Sequence, residues 1–229
     1  MLVRPSCYSP QCCVNVSPPP AGTVDWTKTQ FVKHSTELMS LVGNFYSRIT
    51  AKKMEKLLRS SPVPTIVELL EKIKDGKHAQ GSEILAQLGG LRQRVQGHMQ
   101  NLVVADAIQE IVDVLALVRL EQPSPRNSVA HPLWSLYLQA NKAYSETQPW
   151  LASTDASHRA QLHVISAETL RICAVLLQPF IPTKSVELLE ALGTNPEERT
   201  WDHAEPGKGA TGKFKQGIRL FVDPALLKG

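Results

Sequence analysis

The chain has 229 residues, of which 42% are hydrophobic and 20% charged, and its formal net charge is +4. This composition is typical of a folded globular domain and excludes fibrous and wholly disordered chains. No uninterrupted apolar run approaches the roughly 18 residues that a membrane-spanning helix needs, so no membrane is expected among its partners. A protein that coats duplex DNA usually carries a dense basic stripe, and the small net charge predicts no DNA partner. Any role in nucleic-acid binding must therefore rest on specific residues.

The four cysteines do not form a spaced disulfide framework. Cys7, Cys12 and Cys13 crowd the N-terminus, and Cys173 stands alone in an apolar run. This distribution favours a reducing compartment. Adjacent cysteines rarely point at one ion, so no metal site is expected.

The first 24 residues are predicted to be a disordered tail or a transit segment. They contain no acidic residue, a run of three prolines and no apolar periodicity that would tie them to a core. A mitochondrial transit peptide is usually rich in arginine, whereas this segment has only Arg4. The sequence leaves open whether the protein resides in the mitochondrial matrix or in the cytoplasm. It also leaves open whether the chain is a standalone module or a truncated gene product.

Residues 25–194 carry helical periodicity almost throughout. Apolar side chains recur there at steps of three, four and seven, which is the period of one buried helix face. Alternating strand patterns are nearly absent. The predicted helices are Phe31–Ile49, Ile66–Ile73, Ile84–Val95, Leu102–Leu120, Trp134–Tyr144, His158–Leu177 and Ser185–Leu192. The pattern predicts an all-α fold, in which an antiparallel helix bundle is joined by short connections.

Residues 195–229 are predicted to form a flexible C-terminal tail that is rich in glycine and lysine. Four basic and no acidic residues lie between Lys208 and Arg219. Only the segment Ile218–Val222 hints at a strand.

Asn44 and Arg48 are unusual residues for the first predicted helix. They are four residues apart and so share one flank, about 80–120° around the axis from the apolar stripe. Gly43 costs a helix interior about 1 kcal/mol relative to alanine, which indicates that another group approaches the backbone there. The pattern alone favours a solvated flank or packing against a neighbouring helix over a binding role.

Pro149 and Trp150 form a second unusual feature, since the proline holds the tryptophan in a stiff segment. An exposed indole would offer a stacking surface to an unpaired base, whereas a buried one would close the bundle. Spacing alone slightly favours the buried position. A basic run from Lys52 to Arg59 would either attract a phosphate backbone or be a solvated face, and the solvated face is the usual case.

Three stretches of the chain resemble the C-terminal anticodon-binding domain of methionyl-tRNA synthetase, particularly its fungal mitochondrial and bacterial-like forms. Residues 26–48, WTKTQFVKHSTELMSLVGNFYSR, are similar to the family's opening helix, which ends in Leu-Gly-Asn-x-x-x-Arg. Residues 140–150, ANKAYSETQPW, resemble its Ala-Asn-x-Tyr-x-x-x-x-Pro-Trp segment. Residues 176–193, LLQPFIPTKSVELLEALG, resemble its Leu-Leu-x-Pro-Phe-x-Pro connection and the helix that follows. The resemblance implies a bundle of the class I aminoacyl-tRNA synthetase anticodon-binding type.

The resemblance also implies a role for each unusual residue. Trp150 would stack on the first anticodon base, and Asn44 and Arg48 would hydrogen-bond to it. Bases in single-stranded loops can be read on their Watson–Crick edges, and an Asn amide offers both a donor and an acceptor. The implied partner is methionine tRNA with the anticodon CAU. The basic residues near this site make three lysines candidates for phosphate contacts: Lys52, Lys53 and Lys142.

The catalytic domain of that family has no counterpart in this sequence. An ATP-binding Rossmann-type fold with HIGH-like and KMSKS-like signatures would not fit beside the bundle in 229 residues. No cofactor is expected, because the ATP and methionine sites would lie on the catalytic domain. The chain alone is therefore expected not to activate methionine, and a catalytic synthetase domain acting in trans is an implied partner.

Two functions of other classes stay open. A helical adaptor could bind a protein through the same groove after losing RNA recognition. A basic rim from Arg48, Lys52 and Lys142 around Trp150 would favour tRNA, whereas an acidic or wholly apolar rim would favour the adaptor. An enzyme acting alone ranks third, because the histidines do not lie at nucleophile or metal spacing from cysteines or carboxylates.

Overall fold

The computed structural model describes residues 39–59, 62–75, 82–118, 151, 153–218 and 220–221, and it contains no β-strand among them. The α-helices of this part of the chain are α1 (Phe45–Ile49), α2 (Lys52–Leu58), α3 (Ile66–Lys74), α4 (Ser82–Gln100), α5 (Val104–Val118), α6 (Ala156–Leu177) and α7 (Pro182–Ala191). A π-helical turn, Met39–Asn44, leads into α1, and two 3₁₀ turns, Pro196–Glu198 and Trp201–His203, follow α7. The predicted all-α class is confirmed.

The helix boundaries follow local chemistry. At the start of α3, the Glu68 amide donates to Thr65 Oγ1 at 3.2 Å, and the Thr65 amide donates to Glu68 Oε2 at 3.1 Å. This reciprocal pair satisfies two amides that the first turn of a helix leaves without partners. Asp155 caps α6 in a similar way, since its carboxylate accepts from the His158 amide at 2.9 Å. Gly193 follows α7 with a φ of +70°, a backbone conformation that favours glycine.

Helix α6 is the centre of the bundle. It contacts α1, α2, α3, α4, α5 and α7. Every residue from Ile165 to Leu177 is buried, so this helix is covered on all sides rather than on one face. Its most apolar stretch has a mean hydropathy of 1.4 and is long enough to cross a membrane, but 89% of that stretch is buried inside the protein. Packing within the bundle therefore accounts for its apolar character.

A charged pair lies inside this central helix. Arg171 donates to both carboxylate oxygens of Glu168 at 2.8 Å, and the two side chains are 0% and 3% exposed. The guanidinium also donates to the carbonyl oxygens of His203 at 2.7 Å and of Glu205 at 3.0 Å. Glu168 accepts in addition from the amide of Gly207 at 3.0 Å. The pair is satisfied by the backbone that follows α7, so it joins that segment to the core.

The chain after α7 docks on the bundle over its described residues. The Gly212 amide donates to the Leu192 carbonyl at 3.0 Å, and the Lys215 amide donates to the Ala191 carbonyl at 2.9 Å. Leu220 is buried at the end of this segment. The described residues of the predicted tail, 195–218, 220 and 221, therefore include positions that are hydrogen-bonded to the bundle or buried against it. The sequence pattern weakly predicted a strand at Ile218–Val222. The described residues of this segment, 218, 220 and 221, are not in a strand.

Several predicted features lie outside the described residues. These are the N-terminal tail of residues 1–24 with its three cysteines, the beginning of the first predicted helix, and the predicted helix Trp134–Tyr144. Trp150 and Lys142 belong to the same group.

Candidate nucleic-acid interface

Asn44 and Arg48 both lie on the solvent side of the first described helix. Asn44 ends the π-helical turn, and Arg48 is one residue before the end of α1. Both are exposed, whereas Phe45 and Ile49 are buried in the core. A π-helical turn is rare in proteins and is frequent at functional sites. Both residues of the predicted flank are therefore exposed, and they lie four residues apart in the chain.

Tyr46 holds this helix in place. Its side chain is only 1% exposed, and its hydroxyl lies within hydrogen-bonding distance of two carbonyl oxygens, that of Ala191 at 3.1 Å and that of Lys215, which share its single proton. Burial raises the pKa of Tyr46 to about 12, so the hydroxyl keeps its proton and remains a donor. Hydrophobic periodicity does not predict the burial of Tyr46, because the partners of its hydroxyl are backbone groups from the far end of the chain.

Replacing Tyr46 with phenylalanine is expected to lower the free energy of unfolding by about 1–2 kcal/mol. The ring would still fill its place, but the carbonyl of Lys215 would lose a buried donor. Urea unfolding of Tyr46→Phe and of the parent measures this difference. Equal midpoints and slopes would show that the hydroxyl does not fix α1.

Lys52 and Lys53 lie directly beyond a bend in the chain. Thr50 ends α1, and its hydroxyl donates to the carbonyl of Tyr46 at 2.9 Å. Ala51 then has an extended backbone, so that α2 starts in a new direction with both lysines exposed. Whether these residues form a rim around Trp150 stays a prediction, because Trp150 lies outside the described residues. These lysines and Arg48 share one short stretch of chain on either side of the bend.

Glu55 is the acidic residue within this basic run. It accepts from Arg59 at 2.7 Å and also from Gln216. The hydrogen bond from Arg59, and then that from Gln216, lower the pKa of this carboxyl. The charge of Glu55 is thus offset by Arg59, directly after α2, and Gln216 of the C-terminal segment binds its other carboxylate oxygen.

The chain that follows Trp150 is anchored to the beginning of α6. Arg159 is 4% exposed and donates to the carbonyls of Leu151 and Thr154, each at 2.8 Å. The distance from Trp150 to Asn44 and Arg48 stays a prediction, because Trp150 lies outside the described residues. Arg159 itself carries no signal in the sequence, since an arginine in the first turn of a helix is usually solvated.

A cleft of about 700 Å³ opens beside the end of α1. Its lining comes from α1, α2, α6 and the C-terminal segment: Ile49, Thr50, Glu55, Leu58, Arg59, His163, Lys213, Phe214 and Gln216. The rings of His163 and Phe214 lie 5.5 Å apart between centroids and are tilted by 55°. Nδ1 of His163 is buried and has no hydrogen-bond partner in the part of the chain that the structure describes. Burial lowers the pKa of His163 to about 4, so the imidazole is neutral at pH 7.

Lowering the pH from 7 to 5 is expected to cost about 2 kcal/mol of stability through His163 alone. His163 has a pKa of 6.5 in the unfolded chain and of about 4 in the folded chain. Between these two pH values the unfolded chain therefore binds a proton at His163 that the folded chain does not bind. Stability is therefore lost as the pH falls from 6.5 towards 4. Urea unfolding of the parent and of His163→Leu at pH 5, 6 and 7 tests this. A parent and variant whose stabilities change in parallel would contradict it.

The described residues offer no metal centre. No group of three or more His, Cys, Asp or Glu side chains in these ranges is placed to hold an ion. Cys173 is buried in α6, and burial raises the pKa of its thiol, so it stays protonated.

Comparison with known proteins identifies the fold and the family. The family profile described as the anticodon binding domain of methionyl tRNA ligase matches residues 96–228, which is more than half of the chain. The chain belongs to this family. The match covers α5, α6, α7 and the docked C-terminal segment, so this segment is part of the family's domain.

Relatives and solved structures agree with this assignment. The chain is 26% identical over 203 residues to a probable mitochondrial methionine–tRNA ligase of Neurospora crassa, covering 86% of this chain and 28% of that protein. It is 30% identical over 192 residues to the methionine–tRNA ligase of Caldanaerobacter subterraneus, covering 82% and 25%. The fold matches the apo methionyl-tRNA synthetase of Mycobacterium tuberculosis with a TM-score of 0.61 at 22% identity, covering 86% and 34%. The chain thus spans about a quarter to a third of the length of these ligases.

Proposed function

We propose that this anticodon-binding domain binds methionine tRNA and reads the first base of the anticodon CAU with Asn44, Arg48 and Trp150. The observation that carries the proposal is the exposed Asn44 and Arg48 pair on a helix whose other face is buried. An unpaired loop base exposes its Watson–Crick edge, and the Asn44 amide can donate to and accept from that edge. Arg48 adds a permanent positive charge that suits a base carbonyl or a phosphate.

Lys52 and Lys53 support the same proposal electrostatically. They follow Arg48 within five residues and are exposed, while the intervening bend turns α2 away from α1. Their charges would attract the backbone of the nucleotides on either side of the base that Asn44 reads. Lys142 would extend this surface on the side of Trp150.

The domain would act in methionyl-tRNA aminoacylation together with an ATP-binding catalytic domain, joined to it or supplied in trans. The matched ligases are three to four times as long as the segment they share with this chain, and the HIGH-like and KMSKS-like signatures have no counterpart in its 229 residues. We propose the mitochondrial matrix as its location, and the support is that the Neurospora crassa relative is named as a probable mitochondrial ligase. The adaptor function finds no support in these comparisons, since each of the relatives is a methionine–tRNA ligase.

Asn44→Ala is expected to erode discrimination between a CAU stem-loop and one changed at the first base. A changed base cannot pair its edge with the Asn44 amide, and the polar groups left unpaired cost about 1–3 kcal/mol of binding free energy. The parent chain should therefore bind the CAU stem-loop roughly five- to a hundred-fold more tightly than the changed one. The variant should bind both RNAs with similar affinity. Fluorescence anisotropy of labelled stem-loops measures this ratio. Ser47→Ala, an exposed substitution on the same helix, is the matched control and should keep the parental ratio.

Arg48→Ala separates two contacts that this residue could make. If the guanidinium touches a phosphate, the slope of log affinity against log salt should fall by about one; if it touches only the base, the slope should stay unchanged. In both cases the affinity should fall. Lys72→Ala removes an exposed positive charge from α3 and serves as the control. An Arg48→Ala variant that binds as tightly as this control would remove Arg48 from the proposed site.

A further inference from the structure

The cleft beside α1 has the chemistry of a second nucleotide site. Its volume of about 700 Å³ lies within the range of small-ligand pockets, roughly 300–1,000 Å³. Two of the side chains that line it are aromatic, Phe214 and the neutral imidazole of His163. Aromatic faces stack on an unpaired base of any sequence. Thr50 and Gln216 add polar groups that could orient such a base.

The net charge of the cleft lining is positive, which favours the binding of a phosphate group. Arg59 and Lys213 supply two positive charges against the single carboxylate of Glu55. That carboxylate is already hydrogen-bonded by Arg59 and Gln216, and Lys213 acts on it electrostatically. The lining therefore keeps a net positive charge, as a groove that follows a nucleic-acid backbone needs.

The cleft is within reach of an RNA bound at Asn44. Ile49 and Thr50, which line the cleft, follow Arg48 directly in the chain. Six residues of helix separate Asn44 from Thr50, which is roughly 9 Å along the axis. Stacked nucleotides advance about 3.4 Å each, so a strand of about three nucleotides spans this distance.

We infer that this cleft binds an unstacked nucleotide of the tRNA loop next to the anticodon, with its base against Phe214 and His163 and its phosphate near Arg59 and Lys213. The inference rests on the proposed tRNA binding and adds a contact outside the anticodon itself. It also gives the docked C-terminal segment a function, because that segment supplies Lys213 and Phe214. Tyr46 links the two sites, since it lies on the helix of Asn44 and Arg48 and binds the backbone of Lys215.

The test uses a labelled CAU stem-loop and the full chain. Phe214→Leu is expected to weaken binding by at least about fivefold, the low end of the loss for one stacked base. Phe221→Leu is the matched control, because Phe221 is also a half-buried residue of the C-terminal segment that packs on the core but does not line the cleft. Lys213→Gln should lower the salt slope by about one, whereas Lys72→Gln should not.

A base-specific arm locates the nucleotide. 2-Aminopurine is placed singly at each loop position that flanks the anticodon, and its fluorescence is followed on binding. One position should respond with the parent chain and with Phe221→Leu but not with Phe214→Leu. Thermal melting of each variant verifies that the bundle is folded, and a Phe214→Leu chain that melts like Phe221→Leu makes the comparison valid.

The two proposals fail in different ways. A parent chain that binds CAU and changed stem-loops equally would overturn the proposed function and this inference with it. A second outcome separates the two sites: the parent distinguishes CAU from the changed stem-loop and Asn44→Ala does not, but Phe214→Leu and Lys213→Gln bind like their controls. This outcome would overturn the nucleotide site in the cleft and leave the proposed reading of the anticodon intact.

Discussion

Replacing Arg171 with methionine is expected to lower the free energy of unfolding by about 3–5 kcal/mol. The substitution would leave the Glu168 carboxylate charged and nearly fully buried, and a buried charge without its partner carries a large desolvation cost. The carbonyls of His203 and Glu205 would lose their donor at the same time. Urea unfolding followed by circular dichroism measures the change, and the first region to lose protection from hydrogen exchange should be the segment after α7.

The matched control is another pair with the same spacing on a helix surface. Lys184 and Glu187 lie 2.7 Å apart in α7, three residues apart as Glu168 and Arg171 are, but they are 37% and 42% exposed. Lys184→Met should therefore cost no more than about 1 kcal/mol. Combining Arg171→Met with Glu168→Leu should restore part of the stability lost in Arg171→Met, because the orphaned charge is removed. An Arg171→Met chain as stable as Lys184→Met would contradict the role assigned to the buried pair.

Trp150→Ala is expected to weaken binding of a CAU stem-loop by about 1–3 kcal/mol, or roughly five- to a hundred-fold, without melting the bundle. The loss would come from one stacked base. Trp150→Phe should recover part of the affinity, since a smaller aromatic face still stacks. Anisotropy of a labelled RNA at low salt measures all three affinities.

The control for this series is Trp201→Phe, which changes a half-buried tryptophan in the turn after α7. It should bind like the parent. A Trp150→Ala chain that binds like Trp201→Phe would remove the stacking role. A Trp150→Ala chain whose melting temperature falls sharply would place Trp150 in the core, as its spacing slightly favours.

Hydrophobic periodicity was sufficient to predict most of the described helices. The predicted segment Ile66–Ile73 became α3, and His158–Leu177 became α6 with two more residues at its beginning. The prediction Ile84–Val95 was too short at both ends, since α4 begins at Ser82 and extends over mostly polar residues to Gln100. The residues at the two ends of α4 do not continue the helical spacing of apolar side chains. Their helical conformation is therefore seen in the structure but is not indicated by the sequence pattern.

The path of the C-terminal segment could not be predicted from local sequence. Glycine and lysine are typical of flexible tails, but here the glycines permit close contact: a Cβ on Gly209 would lie 2.7 Å from Nη1 of Arg171. The partners of this segment, Tyr46 and Glu168, are far away in the chain. The local sequence of the segment does not encode these contacts, because their partners are side chains that lie far away in the chain.

For the candidate site, the sequence pattern predicted that Asn44 and Arg48 share one side of a helix. Their role in reading the anticodon came only from the family resemblance. Helical spacing correctly placed Asn44 and Arg48 beside the apolar stripe, and the structure shows both exposed. The cleft was not predicted, because its lining joins His163 of α6 with Phe214 after α7 and with residues of α1 and α2. Only the folded chain brings these residues together.

We expect this chain to recognise the methionine anticodon. The most direct measurement is a titration of the full chain with two labelled stem-loops at low salt, one with CAU and one that differs only at the first anticodon base. Recognition predicts tighter binding of CAU by roughly five- to a hundred-fold, and loss of this ratio in Asn44→Ala. Equal affinity of the parent chain for both stem-loops would contradict the claim and favour a helical adaptor.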